Sequence, residues 1–261
     1  MVLRLILLGL ASFAAAAINA IAGGGSFLTF PSLTGIMGLS DKAANMTNTI
    51  GLWPGSASSI FPVIDQIRAL PRKVVLLYGA ISLVSGGLGA LLLQHTGETS
   101  FALILPWLLL MATVIFAFSK PIARWAGRGH GSGHSGGWTV LVAGMQFVVG
   151  IYGGYFGAGI GVLMLASLSF AGFENLHQVN ALKVLLSTLI NLVAAILFCF
   201  SGQVQWTAAG VMAVASIGGG VLGMAVAKRV PQQYLRVIIL LVGMTLTAVY
   251  FVRNYHHAAW R

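Results

Sequence analysis

Two apolar stretches of this chain, 3–38 and 138–172, are each too long for one simple membrane helix, and each is interrupted by clustered glycines. The first holds Gly23, Gly24 and Gly25; the second holds Gly153, Gly154, Gly157, Gly159 and Gly161. Glycine lowers helix stability by roughly 1 kcal/mol relative to alanine, so both stretches are expected to break. In lipid, a broken backbone is tolerated only where protein or a water-filled cavity surrounds it. The other apolar runs cover 43–63, 73–94, 100–119, 177–201, 206–227 and 232–252, and about 20 apolar residues cross a bilayer as a helix. Only 7% of the residues are charged, against roughly 25% in soluble proteins. The reading is an all-α polytopic membrane protein whose solvent is the lipid bilayer. Arg4 and the small residues after it resemble a signal peptide, but the same stretch opens a unit that recurs later, so it is assigned to the fold.

The recurrence is an internal duplication. AGGGSFL from Ala22 matches FGAGIGV from Phe156 at an offset of 134, and the helices that follow align at 135. Asn45 then falls on Asn180, Asn48 on Lys183, Leu52 on Ser187 and Ser56 on Asn191; Ser82, Gly86 and Gly89 match Ser216, Gly220 and Gly223 at 134 again. The order and spacing of these matches predict two homologous four-segment halves, residues 1–119 and 138–261, with the first and fifth segments broken by glycine. Between them, 120–137 is rich in Gly, Ser and His and reads as a linker. His130 and His134, like His256 and His257, lack further ligands at useful spacing, so no metal and no cofactor is expected. The single cysteine, Cys199, excludes an intrachain disulfide.

Fourteen Lys and Arg stand against four Asp and Glu. The basic residues cap apolar runs rather than interleave with aromatics, which argues against nucleic-acid binding. They cluster in 64–73 (Arg68, Arg72, Lys73), 120–137 (with Lys120, Arg124 and Arg128) and 228–236 (Lys228, Arg229, Arg236). The clusters fall at swapped positions in the two halves. Halves lying upside down relative to each other explain this and put all three clusters in the cytoplasm. An inverted repeat is therefore favoured over eight spans in parallel repeats, which strand 228–236 on the wrong side. It requires both broken segments to enter and leave on one side.

No catalytic constellation is visible: Asp41, Asp65, Glu98 and Glu174 lie at segment ends or in loops, and an enzyme is not expected. The outstanding residue is Lys183, inside an apolar run where a charge costs at least roughly 2.5 kcal/mol. Asn180, Lys183, Ser187 and Asn191 recur on one helical face, as do Asn45, Asn48, Leu52 and Ser56. Facing each other across a cavity, these stripes supply amide and hydroxyl donors and one fixed positive charge. The glycine breaks add helix N-termini, which favour anions, with Ser26 and Tyr155 beside them. Trp53, before Pro54, either shapes the cavity or packs. The alternative is that Lys183 snorkels to the headgroups while the asparagines join helices. The stripe of Gly79, Ser82, Gly86 and Gly89 and that of Ser216, Gly219, Gly220 and Gly223 read as close helix packing.

IAGGGSFLTFP at 21–31, ANMTNT at 44–49, LWPG at 52–55, GIYGGYFGAG at 150–159 and NALK at 180–183 resemble the TauE/SafE family of membrane permeases over about residues 5–252. The resemblance implies export of a sulfur-containing anion such as sulfite, sulfoacetate or a related organosulfonate across a bacterial inner membrane. It makes Gly23, Gly24, Gly25, Ser26, Gly157, Gly159, Asn45, Asn48, Asn180 and Lys183 the candidate substrate site. The expected mechanism is alternating access by uniport at a midplane site, with an anion channel or a non-transporting scaffold as alternatives. The oligomeric state is left open.

Overall fold

The computed structural model describes residues 1–21, 23–128, 136–168, 170, 176–226 and 232–256, and among these every regular element is a helix. In chain order they are α1 (Val2–Ile21), α2 (Ser26–Pro31), α3 (Asp41–Ser58), α4 (Ile64–Arg68), α5 (Arg72–His95), α6 (Glu98–Arg128), α7 (Gly136–Tyr155), α8 (Ile160–Leu168), α9 (Leu176–Cys199), α10 (Trp206–Val226) and α11 (Gln232–His256). A π-helical turn, Ser32–Ile36, extends α2. Five helices are long and apolar enough to cross a membrane. Helices satisfy their own backbone groups, which lipid demands, and large side chains such as Leu10, Leu76, Val148 and Val214 remain on the outside to meet acyl chains.

The helix starts carry the duplication further than side-chain matches do. Ser26 and Arg72 each start a helix 134 residues before Ile160 and Trp206. Both long stretches break as expected: α1 gives way to α2 through Gly23 and Gly24 at φ +76° and +95°, and α7 to α8 through Gly157 and Gly159 at φ +75° and +74°. These left-handed conformations are open to glycine at little cost.

Side-chain bonds fix which helix ends lie together. Lys42, in the first turn of α3, donates from Nζ to the carbonyls of Gln94 and Thr96 and from its backbone to Glu98. Gln94 donates to Leu197 O, and the Gln205 amide donates to Thr47 Oγ1. Arg253 holds Asp41, and Asn254 donates to Ala102 O. The starts of α3, α6 and α10 therefore share one end with the finishes of α5, α9 and α11. Thus α3 and α9, α5 and α10, and α6 and α11, each a pair related by the repeat offset, run in opposite directions. The first broken stretch begins and returns at this end, because α1 runs alongside α10, with Gly9 near Val211 and Ala17 near Gly223. The second begins and returns at the other end, because α7 runs alongside α5, with Gln146 on Ser82 and Gly154 on Gly86. That other end, where α5 and α9 start and α6 and α10 finish, is called the basic end below.

The glycine stripes sit at these crossings. A β-carbon on Gly154 would overlap the Gly86 carbonyl, and one on Gly219 would overlap that of Phe13. Close approach replaces a hydrophobic driving force that is absent in lipid.

Several segment limits differ from expectation. The fourth run continues as α6 to Arg128 rather than ending at 119, so the described part of 120–137 is helical at both edges; His130 and His134 lie outside the described residues. The second run stops at Ser58 and is followed by short turns, while α3 passes through Pro54 without interruption. Lys228 and Arg229 also lie outside the described residues.

Candidate functional site

A cavity of about 50 Å³ lies between the halves, several times the roughly 10–15 Å³ a single water requires. Its walls include six pairs related by the repeat: Gly23 with Gly157, Ser26 with Ile160, Asn48 with Lys183, Thr49 with Val184, Leu52 with Ser187, and Ser56 with Asn191. A cavity lined by both members of so many pairs lies where the two matched sets of helices meet. The two backbone breaks also touch here. A β-carbon on Gly23 would lie 3.1 Å from Gly161 Cα, and one on Gly161 would lie 3.6 Å from Lys183 Cδ. Only glycine at both positions lets the hairpins meet backbone to backbone.

Among the described residues lining the cavity, Lys183 alone is charged. It is 2% exposed, and its Nζ has no hydrogen-bond partner. A snorkelling lysine carries its ammonium out to water; this one is enclosed by α8, α3 and its own helix. Burying a cation without a partner is costly, so the position is a demand for a negative group. Asn48, its repeat counterpart, is also buried and lines the cavity, and its Oδ1 accepts a bond from Thr29 Oγ1 at 2.5 Å. Ser187, Asn191, Ser56, Ser59 and Thr49 add further polar groups. Gly161 lies in the first turn of α8, where backbone N–H groups lack intrahelical acceptors and the helix dipole is positive.

The breaks are clamped by different means. In the first, Asn19 Oδ1 accepts from the Gly25 amide at 2.6 Å. In the second, the Tyr152 hydroxyl donates to Ala158 O at 2.6 Å.

Of the residues expected from the sequence, Gly23, Ser26, Asn48, Gly157, Lys183, Ser187 and Asn191 line the cavity. Seven do not. Gly24 packs near Ile239, Gly25 is tied to Asn19, and Gly159 faces Ala112 and Phe27. Asn45 donates to Tyr155 O at 2.9 Å, so it pins α3 to the end of α7. Tyr155 directs its hydroxyl to Thr96 Oγ1, away from the site. Asn180 sits half-buried a turn outside, and Trp53 keeps a buried Nε1 without a partner elsewhere on α3. The sequence reading missed Asn19, Thr49, Ser59, Phe156 and Gly161. Ser59 extends the Asn48–Ser56 stripe by roughly one helical turn, and that continuation was the available signal for it.

Toward the end where α3 begins, Phe156 lines the cavity and packs on Phe30, Phe101 and Tyr152 at centroid distances of 6.0, 6.4 and 6.2 Å. Toward the basic end the walls carry Ser56 from the last turn of α3, Ser59 just beyond it, and Lys183 and Val184 from the third turn of α9.

Comparison with known proteins places this architecture. The chain is 28% identical over 239 residues to a "Probable membrane transporter protein" of Haemophilus influenzae, covering 90% of each chain. It is 31% identical over 237 residues to the "Probable membrane transporter protein YfcA" of Escherichia coli, covering 88% of this chain and 83% of the relative. No solved structure matches. The family described as "Sulfite exporter TauE/SafE" matches residues 8–251, nearly the whole helical body, and this multi-pass membrane protein belongs to the TauE/SafE family.

Proposed function

We propose that this chain is a membrane transporter that exports a small sulfur-containing anion, sulfite or an organosulfonate such as sulfoacetate, by alternating access to the cavity between its halves. The observation that carries the reading is Lys183: a buried ammonium, unpartnered, in a cavity whose other described walls are neutral. The anion supplies the missing charge, and Asn48, Ser187, Asn191 and the Gly161 amide donate hydrogen bonds to its oxygens. Charge-assisted bonds of this kind are about twice as strong as neutral ones. The family description and the names of the relatives support a transporter of this class.

The two halves, 1–119 and 138–261, form an inverted repeat joined by 120–137. Among the described residues, Arg68, Arg72, Lys73, Lys120, Arg124, Arg128 and Arg236 belong to segments at the basic end, which faces the cytoplasm by the positive-inside rule in a bacterial inner membrane. An inside-negative potential then drives an anion outward by roughly 2.3 kcal/mol per charge per 100 mV, so uniport suffices. The aromatic cluster opposite the basic end favours a carrier over an open pore.

Sulfite and sulfoacetate flux into proteoliposomes under an imposed potential tests the reading. Saturable flux in the wild type that is lost in Lys183→Gln is expected. Equal flux in both proteins removes Lys183 from the mechanism, and flux that never saturates converts the carrier into a channel.

A further inference from the structure

We propose that the end where α3 begins carries a dedicated gate, an aromatic layer latched by Asp41 and Arg253, and that this latch holds the empty protein open toward the basic end. The inference rests on the transport reading for its purpose, but not for its geometry.

The layer starts at the cavity. Phe156 is both a cavity wall and the centre of the cluster formed with Phe30, Phe101 and Tyr152. Tyr250 continues it, 5.7 Å from Phe30. Above Tyr250 lies the latch. Arg253 Nη2 donates to both carboxylate oxygens of Asp41 at 2.7 Å, and its guanidinium stands 4.7 Å over the Tyr250 ring. The Tyr250 hydroxyl is 2.7 Å from Thr34 Oγ1. One cluster thus joins the start of α3, the end of α11 and the π turn after α2. Those elements must separate if the cavity is to open on this side. Asp41 is 3% exposed, so parting the pair leaves a buried carboxylate without its cation, which is strongly unfavourable.

The duplication shows that this is not a general property of the fold. Phe30, Phe101, Tyr152 and Phe156 correspond to Met164, Leu235, Ile18 and Ala22; only Tyr250 meets another aromatic, Phe116. Asp41 and Arg253 correspond to Leu176 and Ser119. Among the described residues, no pair at the matched positions supplies an equivalent latch at the basic end. Two otherwise matched access states therefore differ by one ion pair and an aromatic layer on one side, which biases the empty protein toward the basic-end-open state.

The test is thiol access from each face. In a Cys199→Ser background in proteoliposomes of known orientation, Ser187→Cys is labelled with a membrane-impermeant methanethiosulfonate added to one face at a time. Labelling from the basic face is expected to exceed labelling from the opposite face by about tenfold, a bias of roughly 1.4 kcal/mol. Arg253→Ala and Asp41→Asn are each expected to raise the opposite-face rate several-fold and lower the basic-face rate. The exchanged pair, Asp41→Arg with Arg253→Asp, is expected to move both rates back toward the parent. Faster labelling of the parent from the opposite face, or opposite-face rates unmoved by either single variant, overturns the proposal. So does a collapse of side preference in the single variants that the exchanged pair fails to reverse, because that marks misfolding rather than gating. Labelling needs no substrate. Side-dependent access that obeys the latch, without sulfite or sulfoacetate flux, sinks the substrate assignment and leaves the gate standing.

Discussion

Around the cavity, a wall residue from one half generally finds its repeat match from the other: Gly23 matches Gly157, Asn48 matches Lys183, and Ser56 matches Asn191. At the end where α3 begins, the partners have diverged. Asp41, Arg253 and the aromatic layer stand opposite Leu176, Ser119 and mostly aliphatic residues. The halves therefore share a centre and differ at their mouths. On the proposed mechanism, a centre lined by matched positions of both halves serves two access states, although Gly23 with Gly157 is the one identical pair among the six. On the gate proposed above, the different mouths set which access state is lower in energy when nothing is bound.

The shared frame is where the largest effects belong. A β-carbon on Gly89 would overlap Ile151 O, and one on its counterpart Gly223 would overlap the Ala17 backbone. Gly89→Val and Gly223→Val are each expected to cost about 3 kcal/mol through overpacking, read as matching losses of thermal stability in detergent. Unequal losses would mean that the two crossings do not carry the same load.

At the centre, the one charge that separates Lys183 from Asn48 can be erased. Lys183→Asn makes this pair identical and is expected to lower anion flux by at least about tenfold, the scale of one charged hydrogen bond worth roughly 1.5–3 kcal/mol. Thermal stability should hold or rise, since a buried unpartnered ammonium is removed. A stability loss with flux intact would invert the assignment.

The clamps on the two breaks give a smaller and directional contrast. Asn19→Ala strips the acceptor from the Gly25 amide and alters a cavity wall, so it is expected to cost roughly 1–3 kcal/mol and reduce flux. Tyr152→Phe loses one bond to Ala158 O and is expected to cost about 1 kcal/mol, with less effect on flux. Calorimetry alongside transport separates the two. The smallest effect is expected at Gly144, where no atom lies within 4 Å of an added β-carbon; Gly144→Ala should stay within about 0.5 kcal/mol of the parent.

Much of the frame was readable in the chain itself. Period and apolar length gave the segments, and the offset of 134 to 135 that aligned Asn48 with Lys183 also aligns the starts of α2 with α8 and of α5 with α10. The site was half readable. Helical spacing selected the face of Lys183, Ser187 and Asn191, but it placed Asn45 and Asn180 on the same face without showing that Asn45 is taken by the Tyr155 carbonyl. Asn19 escaped because its counterpart is Gly153, so matching one half against the other gave no polar pair to notice. The latch escaped for a different reason. Asp41 and Arg253 are 212 residues apart, and nothing local in either segment marks a partner that only folding brings near.

The two broken hairpins bear on how such a molecule can arise. Each begins and returns at one end, so among the described residues the net crossings of each half come from three helices: α3, α5 and α6 in the first, α9, α10 and α11 in the second. Three is odd. A polypeptide that starts a half on one side must finish it on the opposite side, and a tandem copy fused there has no choice but to enter the bilayer inverted. The re-entrant glycine break therefore does more than shape a cavity. It fixes the parity of the unit, and with that parity a single gene duplication suffices to set two copies in opposite orientations without any later flip in topology.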